Sequence, residues 1–343
     1  MEPLISIVIP NYNRAHTILA TIQSVQAQTY SNWEILFVDD NSDDGSQDLV
    51  NMLSREDNRM RIIKRESGMK GGNACRNSGM RASRGRYIVF LDSDDLLCHT
   101  CLDQRVNAAS LHSNLDFWVF PGAVIFPDTE HKPVMWNVRS SRGISDLQRF
   151  AAFDSTWQTS GVLWTKDFLE THRLEWDPAL SIWQDIDFHL QALLLKPGYE
   201  VFWESTVDYF VRGNSADSIS RTKYYTEEKN RSRIYFWNKY AERLSAENID
   251  PASLRSLMFT VLKTALHSRN KSLAKEVLFF GVDKSVITPA EYSLMNKNLL
   301  MEKLSLGIIP RFRFPDQQVN KLFKNAQSET LQRVPLDAEP EYT

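Results

Sequence analysis

Acidic side chains recur where the sequence pattern indicates that buried strands end. The segment Asp92-Ser93-Asp94-Asp95 follows the apolar run 87–91, and Asp39-Asp40 ends the run that begins at residue 33. Carboxylates at positions i and i+2 supply the oxygen ligands that Mg²⁺ and Mn²⁺ prefer, and such ions are often shared with substrate phosphates. For either cluster the alternative is a solvated turn whose side chains cap a helix.

Two further segments could do chemistry at the start of a helix. Gly71-Gly72 precedes a helical pattern that contains Arg76, and glycines there let the backbone approach an anion. Asp185 and Asp187 precede an amphipathic helical pattern that contains Phe188. Asp185 could serve as a general base, or both carboxylates could simply favour the helix N-terminus. The spacing alone does not decide between these roles.

Several familiar sites are absent from the sequence. It contains no Gly-x-Gly-x-x-Gly, no P-loop, no Gly-x-Ser-x-Gly elbow and no His-Glu-x-x-His pair. The cysteines Cys75, Cys98 and Cys101 are too few for a disulfide framework or a four-ligand zinc site. We therefore expect a reducing compartment.

The remaining composition narrows the class of protein. The formal net charge is −3, so the composition carries no global signal for binding a polyanion, and we expect no nucleic-acid partner. No apolar run reaches the length of a membrane-spanning helix, and the first residues lack a secretory signal. The expected location is cytoplasmic, with the inner face of the membrane as an alternative.

Alternating strand and helix patterns must position the acidic clusters. Strand patterns at 5–9, 33–38, 61–64 and 87–91 alternate with helical ones, which predicts a mostly parallel α/β sheet covered on both faces. Ligands bind such sheets beyond the carboxyl ends of the strands. Three of these strands end in polar residues, so we predict one shared site. The strand ends are Pro10-Asn11-Tyr12-Asn13, Asp39-Asp40 and Asp92-Ser93-Asp94-Asp95.

Five segments carry a resemblance to a known family. They are residues 10–13 (Pro-Asn-Tyr-Asn), 28–34 (Gln-Thr-Tyr-Ser-Asn-Trp-Glu), 38–46 (Val-Asp-Asp-Asn-Ser-Asp-Asp-Gly-Ser), 72–77 (Gly-Asn-Ala-Cys-Arg-Asn) and 85–95 (Gly-Arg-Tyr-Ile-Val-Phe-Leu-Asp-Ser-Asp-Asp). In this order and spacing the sequence resembles family 2 glycosyltransferases, strongly over about residues 4–100 and weakly over 150–222. The resemblance implies a GT-A fold and inverting, non-processive transfer from a nucleotide-diphosphate sugar, with a UDP-sugar favoured.

The resemblance also implies roles for individual residues. Asp40 would bind the base of the nucleotide, with Asp39 less favoured. Asp94 would hold Mn²⁺ or Mg²⁺ on the diphosphate. Asp185 would be the catalytic base, although Gln184 replaces the family's usual Glu and Asp187 remains a rival. The implied donor-binding residues are Pro10, Tyr12, Asn13, Asp40, Arg76, Asp92, Ser93, Asp94 and Arg212, the last together with residues 217–220.

The expected organisation is a GT-A catalytic domain over 1–226, a helical region over 227–333 and a flexible tail over 334–343. The catalytic domain would comprise a nucleotide-sugar half, 1–120, and an acceptor half, 121–226. The acceptor would be a glycan or a lipid-linked glycan in polysaccharide synthesis. The basic C-terminal region, including residues 306–314, could contact an anionic membrane peripherally, or it could be a helical cap with a solvated basic face.

Two other functions remain open at the level of sequence. A nucleotidyltransferase that makes a sugar nucleotide would share the fold class, but it would normally carry a Gly-rich basic signature near the N-terminus, which residues 7–14 lack. A non-catalytic carbohydrate- or partner-binding module could also retain the fold.

Overall fold

The computed structural model describes residues 2–65, 68, 70–126, 132–136, 139–140, 143–213, 226–247 and 249–304. Residues 217–220, 306–314 and the tail 334–343 lie outside this part of the chain, and so do the predictions made for them. Within the described residues, no helix combines the length and the apolar composition that crossing a bilayer requires.

Strands and helices alternate through the first half of the chain. The strands are β1 (Ile5–Asn11), β2 (Trp33–Asp39), β3 (Met60–Lys64), β4 (Tyr87–Phe90), β5 (Leu96–Leu97), β6 (Phe117–Val119), β7 (Gly122–Ile125), β8 (Val134–Met135), β9 (Val162–Thr165), β10 (Tyr199–Val201) and β11 (Tyr209–Arg212). The helices in this half are α1 (Ile18–Gln26), α2 (Ser46–Glu56), α3 (Gly72–Ala82), α4 (Cys101–Leu111), α5 (Asp146–Ala151), α6 (Lys166–Thr171) and α7 (Gln184–Leu194).

Helices alone follow from residue 227 to the end of the described chain. They are α8 (Glu227–Ala246), α9 (Pro251–His267), α10 (Lys271–Asp283) and α11 (Pro289–Leu304). The prediction of an α/β sheet followed by a helical C-terminal region is therefore confirmed. The exact division of the chain at residue 226 stays a prediction.

The central sheet is largely parallel. Its strand order is β10-β6-β9-β4-β1-β2-β3, and only β9 runs antiparallel to its neighbours in the described residues. The described strands β5, β11, β7 and β8 pair in that order into a separate, smaller sheet. Because β4, β1, β2 and β3 are parallel, their carboxyl ends meet at one edge, as the strand pattern predicts.

Alternating side chains of the strands divide the core between the two faces of the sheet. Ile5, Ile7 and Ile9 pack in one apolar cluster with α1 residues such as Ile22. Val8 lies in the other cluster, which includes α7 residues and also buried residues of α8, α9 and α10. This two-residue period is the geometry of a strand. The C-terminal helices therefore complete the core on one face of the sheet.

Two local expectations need correction. Pro10 and Asn11 do not stop the first strand, because β1 continues in parallel register with β2 as far as Asn11, which pairs with Asp39. Asp185 and Asp187 do not precede their helix but lie within the first turn of α7.

Candidate functional site

The ends of β1 and β2 are joined by a network of polar side chains. Asn11 Nδ2 donates to Asp39 Oδ1 at 2.8 Å, and the Ser42 hydroxyl donates to the same carboxylate at 2.6 Å. Asn13, at φ 51°, donates its backbone N–H to Ser42 Oγ at 2.9 Å. Asp39 is thus occupied in shaping the loop. Tyr12 projects from this loop with 58% of its surface exposed.

Pro10 and Ser93 contribute backbone structure at this edge. Pro10 is a buried residue of β1, in register with Val38. The carbonyl oxygen of Ser93 accepts hydrogen bonds from the hydroxyls of Thr17 at 2.9 Å and Thr21 at 3.1 Å. The acidic loop after β4 is therefore fixed against the start of α1.

Asp40 connects the end of β2 to the start of α3. Its Oδ2 accepts a hydrogen bond from the Gly71 backbone N–H at 2.7 Å, and its Oδ1 lies 2.6 Å from Arg65 Nε. Gly71 has φ +90°, a conformation that favours glycine. A Cβ on Gly72 would lie 3.1 Å from an Arg76 guanidinium nitrogen, so a side chain at position 72 would crowd Arg76.

Arg76 joins α3 to the loop after β4. Its guanidinium forms an ion pair with Asp92 Oδ1, and the Arg76 Cζ atom lies 4.5 Å from the centroid of the Trp176 ring. The Arg76 side chain is only 10% exposed, whereas that of Asp92 is 35% exposed. The ion pair therefore presents its acidic side to solvent.

Asp94 and Asp95 form a crowded group of negative charges. Burial and the neighbouring Asp92 charge raise the pKa of Asp94, and burial together with Asp94 raises the pKa of Asp95. Arg212 opposes both shifts, and Arg14 Nε lies 3.7 Å from Asp94 Oδ2. Asp95 is fixed by the Ser160 hydroxyl, which donates to it at 2.6 Å.

Asp185 lies near the same charges. Burial raises its pKa; the charge of Asp92 raises it further, while backbone N–H groups and Arg76 oppose the rise. As a whole, the residue is partly exposed to solvent. Trp183, two residues before Asp185, caps the start of α7 with φ 62°. This left-handed conformation is costly for a bulky residue.

The start of α3 brings the predicted residues together. Asp40 bonds Gly71, a Cβ on Gly72 would lie 4.0 Å from Gln184 Oε1, and Asp185 follows Gln184 directly. Asp40 and Asp185 therefore flank the same helix terminus, and Arg76 on that helix pairs with the loop that carries Asp94. The functional role of each residue stays a prediction.

Asp187 has a different environment from Asp185. It is fully buried, with Lys239 Nζ 2.7 Å from its Oδ1. The Tyr240 hydroxyl and the Gln191 amide also donate to this carboxylate, at 2.8 and 2.7 Å. Three structural donors occupy most of the acceptor sites of this buried carboxylate, which leaves little capacity for a reacting hydroxyl.

The acidic loop fits a divalent ion that a substrate completes. Among the described residues, no group of three or more His, Cys, Asp or Glu side chains could hold a metal alone. Mg²⁺-type ions usually take one or two protein carboxylates plus substrate phosphates, and Asp94 with Asp92 supplies such a pair. Arg212 Nε is buried without a hydrogen-bond partner in the described structure, which suits a nearby anionic group.

Several residues of this site were not singled out in the sequence. Arg14 follows Asn13 directly, and Arg65 follows the end of β3, which pairs in register with β2 at Lys64. Both are basic residues at the carboxyl edge of the sheet, a signal that the strand pattern already contained. Lys239, by contrast, lies in α8, and nothing in its local sequence indicates a link to α7.

The chain matches the family model described as glycosyl transferase family 2 over residues 6–163. It is 40% identical over 114 residues to the UDP-Glc:alpha-D-GlcNAc-diphosphoundecaprenol beta-1,3-glucosyltransferase WfgD of Escherichia coli, covering 33% of this chain and 44% of that protein. It is 26% identical over 327 residues to an uncharacterized glycosyltransferase, EpsJ of Bacillus subtilis, covering 90% and 92%. The chain thus spans less than half of the first relative's length.

Solved structures support the fold. A crystal structure of S. aureus TarS 1-349 in complex with UDP-GlcNAc matches with a TM-score of 0.53 at 14% sequence identity, covering 94% of this chain and 79% of that one. At this identity the likeness shows the fold alone, which is the GT-A-like arrangement that the sequence resemblance implies.

Proposed function

We propose that this chain, which carries a glycosyltransferase family 2 domain over residues 6–163, transfers a sugar from a nucleotide-diphosphate donor to an acceptor hydroxyl. The family match and relatives named as glycosyltransferases support the general activity. Two relatives are named for transfer onto undecaprenol-linked acceptors, which supports a lipid-linked glycan as acceptor and polysaccharide or glycan synthesis as the setting. A UDP-sugar is the favoured donor, since WfgD is named for UDP-Glc.

The observation that carries the proposal is the convergence of Asp40, Arg76 and Asp185 around the start of α3. A helix N-terminus favours an anion, and Arg76 supplies a positive charge in the first turns of this helix, where it is paired with Asp92. Asp40 would then bind the base of the nucleotide, while Tyr12 and Asn13 would line the nucleotide pocket from the loop after β1. Arg212 would contact the diphosphate.

Asp185 is the proposed general base of a single displacement. It would take the proton of the acceptor hydroxyl as the oxygen attacks the anomeric carbon opposite the leaving group, so an α-linked donor gives a β-linked product. Its raised pKa brings the carboxylate closer to the proton affinity that efficient base catalysis at neutral pH requires. Asp187 is less suited, because Lys239, Tyr240 and Gln191 already occupy its oxygens.

Asp94, with Asp92 beside it, would hold Mn²⁺ or Mg²⁺ on the diphosphate. When bound, such an ion neutralises the negative charge that develops on the departing nucleoside diphosphate. The protein's own contribution is to hold these carboxylates close together despite their repulsion; burial first, and then the Asp92 charge, raise the pKa of Asp94. We propose that the protein acts in the cytoplasm, at the inner face of the membrane where lipid-linked acceptors are presented.

The test is a transfer assay with purified protein and Mn²⁺. A panel of UDP-, GDP- and dTDP-sugars is offered with a GlcNAc-diphospholipid acceptor, and products are identified by mass spectrometry and by the NMR coupling of the new anomeric proton. We expect release of a nucleoside diphosphate and a β-linked product from an α-linked donor. Release of inorganic diphosphate from a nucleoside triphosphate and a sugar phosphate would instead indicate a nucleotidyltransferase. Binding of sugars without any turnover would indicate a binding module.

A further inference from the structure

One lysine of the C-terminal helices bridges two carboxylates beside the proposed site. Lys239 Nζ on α8 lies 2.7 Å from Asp187 Oδ1 and 2.8 Å from Asp177 Oδ2. The Lys239 side chain is 22% exposed and that of Asp187 only 1%. A bridge this sheltered from water is screened far less than a surface ion pair.

Neighbouring side chains of α8 strengthen the bridge. The Tyr240 hydroxyl donates to Asp187 Oδ1 at 2.8 Å, and the Tyr235 hydroxyl donates to Asp177 Oδ2 at 2.9 Å. Tyr235 and Lys239 are four residues apart and therefore lie on one face of the helix. Together with Tyr240, α8 thus provides three polar groups for two carboxylates.

Each carboxylate is directly connected to the proposed machinery. Asp187 lies two residues after Asp185 in the first turn of α7. The Asp177 carbonyl oxygen accepts a hydrogen bond of 2.6 Å from Asn73 Nδ2, and Asn73 lies one turn before Arg76 on α3. Lys239 therefore joins α7, which carries the proposed base Asp185, to the segment around Asp177, which Asn73 of α3 holds by a hydrogen bond.

We propose that Lys239 is a positioning residue for transfer. It fixes the first turn of α7, which carries Asp185, against the start of α3 and against the segment between α6 and α7 that contains Asp177. This inference rests on the proposed function, since it assumes that Asp185 is the base. It makes α8 a part of the catalytic unit, although the sequence boundary near residue 226 places α8 outside it. A side chain that acts only through another should affect turnover more than donor binding.

The variant Lys239→Met removes the bridging charge and keeps most of the aliphatic stem. We expect kcat for transfer to fall by about 10²-fold, the cost of a misplacement near 1 Å, while the KM for the donor changes less than about twofold. Lys239→Arg retains a cation between the carboxylates and should restore most of kcat. Adding Asp187→Asn to Lys239→Met removes the uncompensated buried charge and should also recover part of kcat.

Lys284→Met is the matched control. Lys284 also pairs with α8, at 3.2 Å from Glu242, and its side chain is 28% exposed, close to the value for Lys239. This ion pair joins α8 to the end of α10 and has no link to α7 in the described residues. We expect the kcat of Lys284→Met to stay within about twofold of wild type.

Hydrogen exchange gives a readout that does not require activity. Amides of residues 185–190 in full-length Lys239→Met should exchange faster than in wild type, with α1 amides unchanged as an internal reference and Lys284→Met unchanged throughout. A folded Lys239→Met protein with wild-type kcat and wild-type exchange in α7 would overturn the inference. If wild type shows no transfer but exchange changes as expected, the proposed function fails while the role of Lys239 in fixing α7 stands.

Discussion

Replacing Asp185 with asparagine should abolish most transfer and at the same time stabilise the fold. The substitution keeps the shape of the side chain but removes its ability to accept a proton. General-base assistance contributes about 10²–10⁴-fold, or about 3–5 kcal/mol of transition-state stabilisation at 1.36 kcal/mol per tenfold change. We therefore expect kcat to fall by that factor, with the donor KM nearly unchanged.

The gain in stability follows from the direction of the pKa shift. Burial and Asp92 raise the pKa of Asp185 above that of the unfolded chain, so the folded state binds the proton more tightly. Its contribution to stability is complete below the unfolded pKa of about 3.9 and is lost as the pH rises through the folded pKa. For every pKa unit by which folded Asp185 lies above unfolded Asp185, the wild-type protein is destabilised at neutral pH by about 1.4 kcal/mol. The asparagine variant does not suffer this loss.

The assay compares urea unfolding at several pH values with initial transfer rates. The free energy of unfolding of Asp185→Asn should exceed that of wild type at pH 7, and the difference should shrink as the pH falls through the raised pKa of folded Asp185 and be gone below about pH 4. Asp48→Asn is the control, because Asp48 is an exposed acid in the first turn of α2. It should lose about 0.3–1 kcal/mol of helix-dipole stabilisation and retain full activity. Near-wild-type kcat in folded Asp185→Asn, or lower stability at pH 7, would refute the reasoning.

Three further predictions concern the scaffold and the metal. Arg105→Met should destabilise the fold by about 3–5 kcal/mol in urea unfolding, because it leaves Asp208, 2.8 Å from Arg105 Nε and fully buried, without its cation; a loss below 1 kcal/mol would contradict this. Gly79→Ala should cost about 1–3 kcal/mol, since its Cβ would lie 2.4 Å from a Val8 methyl, whereas Gly198→Ala, with 3.5 Å of clearance, should have little effect. Chelation of divalent ions should stop transfer, and added Mn²⁺ should restore it; full activity in excess chelator would exclude a metal role.

The strands and their shared edge were predictable because apolar runs bounded by polar turns identify buried parallel strands. Once β1, β2 and β4 are parallel, Asp39, Asp40 and Asp92 must lie at the same edge of the sheet. That argument needs only local pattern and topology. The smaller sheet was not predictable, since β5 and β8 are two-residue strands whose pairing depends on distant segments.

The choice between Asp185 and Asp187 shows where sequence reasoning stops. Both are acids in one helical turn, and their spacing supports either role. What separates them is Lys239 and Tyr240, which reach Asp187 from α8 across more than fifty positions of the chain. Contacts of this kind depend on helix packing, which no local pattern contains.

Titration calorimetry of nucleoside diphosphates tests the central claim most directly, namely that the strand-end carboxylates bind a nucleotide diphosphate through a divalent ion. With Mn²⁺ present, the wild-type protein should bind UDP, the favoured diphosphate, and chelation should remove the binding. Asp94→Asn should weaken it by at least about 10–100-fold, the usual cost of losing even an outer-shell partner of a metal ligand, while Asp48→Asn should leave it unchanged. Equal affinity in wild type and folded Asp94→Asn, or no binding of UDP, GDP or dTDP by wild type, would contradict the account.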